Sequence, residues 1–206
     1  MQTLAHPAPA VPRFAAYVRR HVQRSQDAIA SVDALAPTLD AIARALTTCF
    51  ANGGRAYFFG NGGSAADAQH WAAELSGRFM RERGALAALA LPTGLSEMTA
   101  IANDYGYDQV FARPLSAFVQ PGDVALGIST SGRSPNVLKA LSVARERGAI
   151  TVGFTGRHGG AMPDCCDHIV RVPADVTAHV QEAHAVCGHV ICGLVEGYAF
   201  GWEDPS

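Results

Sequence analysis

His70 and Glu74 lie four residues apart in the segment from Tyr57 to Phe79, YFFGNGGSAADAQHWAAELSGRF. On a helix that spacing puts an imidazole and a carboxylate on one face, where they can hold a metal ion or share a surface hydrogen bond. A bare pair is more often the hydrogen bond. A second group of donors weighs toward metal, because QEAHAVCGH offers Gln181, Glu182, His184 and His189 within nine residues of an otherwise apolar stretch. Gln181 and His189 are about 80° apart around an ideal helix and roughly 12 Å apart along it. Both reach one ion only if long side chains converge or Gln181 precedes the first regular turn. Spacing alone leaves His184 and His189 open. His158, His168 and His179 lack such sequence neighbours and read as structural or exposed.

Two turns could hold a phosphate. Tyr57-Phe58-Phe59 reads as a buried strand, broken by Gly60-Asn61-Gly62-Gly63 before a helix-forming stretch from Ala65 to Leu75, for which Ser64 is a suitable N-cap. A glycine turn there leaves backbone N–H groups bare, and the positive end of the helix points into the same space. The second turn, Ser129-Thr130-Ser131-Gly132-Arg133-Ser134, sets four hydroxyls around one glycine before another expected helix. Uncharged donors of this kind suit a phosphate monoester held without a lysine. Either turn alone could merely cap a helix; the pair favours phosphate binding. GNGGS matches neither GxxxxGK[ST] nor GxGxxG, so a nucleotide is not indicated.

The scaffold expected from the hydrophobic pattern is α/β. Phe14, Tyr17, Val18, Val22 and Ile29 fall at helical spacing, and a second helix is expected from about Asp33 to Phe50 with Pro37 in its first turn. Together they suggest an N-terminal helical hairpin over about residues 13–53, which must cover its apolar face on the sheet or on another subunit. Strands are expected at Tyr57–Phe59, Leu86–Leu91, Val124–Ser129, Ile150–Phe154 and His168–Val172. Helices are expected at Leu95–Ala102, Asp108–Phe118, Pro135–Arg147 and Thr177–Phe200, with Asn103-Asp104-Tyr105-Gly106 as a polar turn. This alternation implies a five-stranded parallel sheet flanked by helices, a three-layer sandwich with both polar turns facing one crevice. Residues 13–200 are expected to form a single domain, and 1–12, with three prolines, a flexible tail.

Composition narrows the function classes. The chain has 206 residues, 49% apolar and 17% charged, with a net charge of -2, so it offers no basic field for nucleic acid. Lys139 is the only lysine and a poor Schiff-base candidate. No run has the length expected of a signal peptide or membrane span, which points to the cytoplasm and away from membranes. Cys49, Cys165, Cys166, Cys187 and Cys192 are odd in number and form no CxxC pair, so they read as reduced and mostly buried. Cys165-Cys166 receives no role.

From about Phe14 to Tyr198 the sequence resembles the sugar isomerase (SIS) fold and, within it, the bacterial phosphoheptose isomerase family. The motifs GNGGSAADAQHWAAELSGRF, AIANDYGYD, GDVALGISTSGRSPNVLKA and QEAHAVCGH carry the likeness. The resemblance implies a homotetramer with active sites between subunits, one zinc ion per subunit, and interconversion of sedoheptulose 7-phosphate with D-glycero-D-manno-heptose 7-phosphate. It assigns zinc to His70, Glu74, Gln181 and His189, thereby preferring His189 to His184. It assigns the sugar phosphate to Asn61, Gly62, Gly63, Ser64, Glu74, Asn103, Asp104, Ser129, Thr130, Ser131, Ser134 and Gln181. Carbonyl transfer between C1 and C2 through an enediol then makes Glu74 the expected base and His189 the acid or proton shuttle. A rival within the fold is a tetrameric scaffold that binds a replication initiator; the presence of both Glu74 and His189 favours the enzyme. A sugar-phosphate-sensing module is weakened by the lack of a DNA-binding segment.

Overall fold

The computed structural model describes residues 11–201. The N-terminal helix α1 (Val11–Ala30) starts inside the expected tail, whose first ten residues lie outside the described ones. A short 3-10 turn, Asp33–Leu35, leads into α2 (Ala36–Ala51), with Pro37 in its first turn where a missing N–H costs nothing. The remaining elements alternate as β1 (Ala56–Gly60), α3 (Gly63–Ser76), β2 (Ala88–Leu91), α4 (Leu95–Tyr105), α5 (Ala112–Phe118), β3 (Val124–Ile128), α6 (Pro135–Glu146), β4 (Ile150–Thr155), α7 (Met162–Cys165), β5 (His168–Arg171) and α8 (Thr177–Phe200).

All strand pairs are parallel, in the order β2-β1-β3-β4-β5. The chain leaves β1 in one direction, to β2, and returns across it to β3. The sheet therefore changes winding direction between β1 and β3, the place where open α/β sheets collect ligands beyond their strand ends. Period-two alternation divides the core: Phe58 faces one layer, while Tyr57 and Phe59 face the other. The first layer is built on Leu39, Ile42 and Leu46 of α2, Trp71 and Leu75 of α3, and Val180, Ala183, Cys187, Ile191 and Val195 of α8. The second comes chiefly from α5, α6 and neighbouring segments, including Val110, Leu115, Val137, Leu141 and Met162. Three layers result, as expected.

Some boundaries differ from the sequence expectation. The polar stretch Asn103-Asp104-Tyr105 is the last turn of α4, which stops at Gly106 with φ 93°, and a 3-10 turn, Tyr107–Gln109, follows. The small helix α7 has no counterpart among the expected elements. The N-terminal helices α1 and α2 each pack principally along α8. By length and composition α8 is apolar enough to cross a membrane, with mean hydropathy 1.2. Its place here is against α1, α2 and α3.

Candidate active site

A residue without a side chain brings the two donor-bearing helices together. Gly188 of α8 lies against the indole of Trp71 on α3, and a Cβ at position 188 would come within 2.0 Å of that ring. Trp71 is buried and packs on Phe154 with ring centroids 5.0 Å apart. The chain neighbours of this pair are His70 and His189, which consequently meet across the helix interface. Their Nε2 atoms are 3.5 Å apart, and His70 Nε2 lies 3.0 Å from Glu74 Oε1. The ligand atoms of His70, Glu74 and His189 all lie within 4.8 Å of one another. Phe79 stacks on the His189 ring at 5.7 Å with an 11° interplanar angle.

A strap anchored by a buried ion pair supports this cluster from below. Arg83 and Glu196 approach to 3.0 Å with side chains only 2% exposed. Glu196 also accepts hydrogen bonds from the backbone N–H groups of Phe79, Met80 and Arg81. Arg83 donates to the carbonyls of Glu74, Leu75, Gly77 and Gly84. One pair thus satisfies the end of α3 and fixes Phe79 beside His189. Burial, with Glu74 and Glu196 nearby, pushes the Cys192 thiol up to about 12, so it stays a neutral thiol. The donors facing outward are two imidazoles and a carboxylate.

These donors fit zinc. A tetrahedral ion with bonds of about 2.0–2.1 Å separates its ligands by roughly 3.3–3.4 Å, and two imidazoles with one carboxylate form an established zinc donor set. The observed 3.0 and 3.5 Å edges are close to that spacing. His184 is elsewhere: its ring is fully buried, its Nε2 is 3.2 Å from the Thr155 carbonyl, and burial lowers its pKa to about 4. Gln181 sits farther along α8 with its amide against the turn glycine, where a Cβ on Gly63 would come within 2.6 Å of Gln181 Nε2. It therefore joins α8 to the β1 turn.

The two polar turns face each other at the change of winding. Asn61 and Asn136 exchange side-chain hydrogen bonds of 2.9 and 2.8 Å, tying the turn after β1 to the start of α6, and Tyr107 donates to Asn61 at 3.2 Å. Sequence reasoning missed Asn136 and Tyr107. Their only signal was proximity to the quoted motifs, Asn136 just beyond STSGRS and Tyr107 in AIANDYGYD. Gly62, with φ 59°, is the N-cap of α3 in place of Ser64; Ser64 lies buried in the first turn. After β3, Ser129 Oγ lies 2.8 Å from Ser134 Oγ and 3.4 Å from Ser131 Oγ, while Ser131 Oγ accepts from the Arg133 N–H. Thr130 is half-buried, and its carbonyl accepts from the N–H of Gly156. Gly132 has φ 65°, and a Cβ there would strike the Gly159 carbonyl at 1.8 Å, so only glycine lets the turn close on that loop. Asn103 and Asp104 are exposed and bonded to each other at 2.8 Å.

Known proteins resemble this chain in sequence and in fold. The SIS domain family matches residues 18–156. The chain is 55% identical over 165 residues to a phosphoheptose isomerase of Solidesulfovibrio magneticus, covering 80% of each chain. The chain belongs to the phosphoheptose isomerase family of SIS-domain enzymes. A second phosphoheptose isomerase, from Rhodospirillum rubrum, is 47% identical over 179 residues, covering 87% of this chain and 95% of the relative. The solved phosphoheptose isomerase of Neisseria gonorrhoeae superposes with a TM-score of 0.80 at 39% identity, covering 90% of this chain and 98% of the other. A sugar-phosphate isomerase role follows from this membership, and the replication scaffold gains no support from it.

Proposed function

We propose that the protein interconverts sedoheptulose 7-phosphate and D-glycero-D-manno-heptose 7-phosphate in the cytoplasm, supplying heptose biosynthesis, and that it does so with one zinc ion at the α3–α8 cluster. The observation that carries this reading is the convergence of His70, Glu74 and His189 beside two hydroxyl- and amide-rich turns. In the reaction Glu74 removes a proton from C1 of the ketose, exchanges it with solvent at the enediol stage and delivers a proton to C2, while His189 moves a proton between the two oxygens. Atoms balance, and no redox partner is needed. Glu74 must use its free carboxylate oxygen, or release its hold on the cation, to act as base.

His70, Glu74 and His189 would hold the ion, with Gln181 as a fourth donor or a contact to the sugar. When bound, zinc supplies Lewis-acid polarisation of the substrate oxygens. Asn61, Gly62, Gly63, Ser64, Asn103 and Asp104 are assigned to the sugar, and Ser129, Thr130, Ser131 and Ser134 to the phosphate. Phosphate binding there orients the reacting carbons from a distance. The active unit is proposed to be a homotetramer with sites at subunit boundaries, a reading supported by the exposed apolar residues Phe14, Tyr17, Val18, Val22 and Ile29 on α1.

A kinetic assay tests the assignment. Chelation is expected to abolish aldose formation and zinc to restore it, while Glu74→Gln and His189→Ala each lower kcat by about 10²–10⁴. Undiminished turnover in either folded variant would reject the assigned roles.

A further inference from the structure

A second cluster of donors lies where α1 crosses the start of α8. His179 and Glu182 are three residues apart and share a face of α8; their Nδ1 and Oε2 atoms are 3.2 Å apart. From α1, His21 brings its Nε2 to 3.4 Å from Glu182 Oε1, and the two imidazole rings approach to 4.5 Å. The ligand atoms of the three residues all lie within 4.8 Å of one another. We propose that His21, His179 and Glu182 form a second transition-metal site, which ties the N-terminal helix to the end of α8 that carries Gln181.

Several features make this more than a salt link. Each imidazole reaches a different oxygen of one carboxylate, His179 Nδ1 lying 3.2 Å from Glu182 Oε2 and His21 Nε2 3.4 Å from Glu182 Oε1, so all three donors converge on one small volume. His179 is 4% exposed, so its ring is held by packing, whereas the side chains of His21 and Glu182 are 40% and 35% exposed and leave one side open for an ion and its water. Ser25, one turn after His21, donates its hydroxyl proton to the His21 carbonyl at 3.0 Å and places the oxygen 3.2 Å from His179 Nδ1. A cavity of about 410 Å³ lined by His179, Asp27, Asp175, Arg24 and Arg157 adjoins the cluster. Two imidazoles and one carboxylate favour a borderline ion of the zinc or cobalt type over calcium or magnesium.

This site is separate from the active-site cluster. His179 and His189 are ten residues apart on one helix, about 15 Å along its axis, too far for one ion. Its proposed role is to brace α1 against α8. Gln181, between His179 and Glu182, lies on the turn glycine Gly63, so the brace also steadies that turn.

The test counts metal. Full-length protein is stripped by chelation and titrated with Co²⁺, following heat and the visible ligand-field bands, for wild type, His21→Ala, and His70→Ala/His189→Ala with and without His21→Ala. The double variant is expected to keep one Co²⁺ per subunit and to gain thermal stability on Zn²⁺ addition, and His21→Ala in that background should abolish both. In the otherwise wild-type chain, His21→Ala should remove one equivalent. That comparison decides the matter if the double variant does not fold. Equal stoichiometry in wild type and His21→Ala, or cobalt binding that survives His21→Ala in the double variant, would overturn the site and leave a metal-free His–Glu network. Failure of the active-site assignment would instead appear as equal stoichiometry in wild type and His70→Ala/His189→Ala.

Discussion

His184 and His189 sit five residues apart on one helix and meet opposite environments. The ring of His184 is sealed between α8 and the end of β4, so the charged form is penalised and its pKa falls from 6.5 to about 4. In the unfolded chain the same imidazole takes a proton near its ordinary value. Between these two pH values the unfolded state binds more protons, so this group's contribution to stability is complete above about pH 6.5 and is lost as pH falls toward 4. The span corresponds to a loss on the order of 3 kcal/mol. Urea unfolding at pH 7.5 and 5 is expected to show a smaller difference for His184→Gln than for wild type; an equal difference would contradict the buried neutral role. At this scale the sequence revealed types and neighbours but not directions. QEAHAVCGH contained both histidines, and only the family resemblance preferred His189. Asn136 and Tyr107 were hidden because their contacts with Asn61 span 75 and 46 residues. No local spacing encodes a contact of that range.

At the scale of elements, α3 and α8 can approach closely because Gly188 gives way to Trp71. Gly188→Ala forces the indole or the helix to move, and overpacking of this kind costs about 1–3 kcal/mol. It should also separate His70 from His189. The expected result is a lower urea midpoint together with turnover reduced by at least about 10-fold, with part of both recovered in Gly188→Ala/Trp71→Phe. Unchanged turnover in a folded Gly188→Ala would show that the helix approach does not govern the site. Most strands and helices were legible because buried β-branched, aromatic and aliphatic runs alternate with longer helical stretches. Boundaries were less legible. Asn103-Asp104-Tyr105 has turn-like composition, yet α4 absorbs it and ends at Gly106, and the cap of α3 falls to Gly62 because its positive φ begins the turn that Ser64 was expected to close.

At the scale of the molecule, the change of winding between β1 and β3 brings the two polar turns into one crevice, while α8 supplies donors from outside the sheet. Strand order is a tertiary property that no local spacing encodes, and the sequence reading, which reached a five-stranded parallel sheet, carried no order for it. The apolar face of α1 that stands exposed among the described residues is the other large-scale feature. Its Val22 is 47% exposed, beside exposed Phe14, Tyr17 and Val18. If that face joins subunits, Val22→Asp should shift the particle from a tetramer to a smaller species in light scattering without loss of helical signal. A mass identical to wild type would remove α1 from the interface.

The proposed metal-dependent enediol mechanism rests on Glu74 and His189. Its most direct test is to incubate zinc-loaded protein with sedoheptulose 7-phosphate in deuterated water and follow the products by NMR. The expected product is aldose carrying deuterium at C2, with the signal lost on chelation and in Glu74→Gln and His189→Ala. Folded, zinc-loaded wild type that forms aldose with no solvent deuterium even on prolonged reversal, or forms no aldose at all, would contradict it.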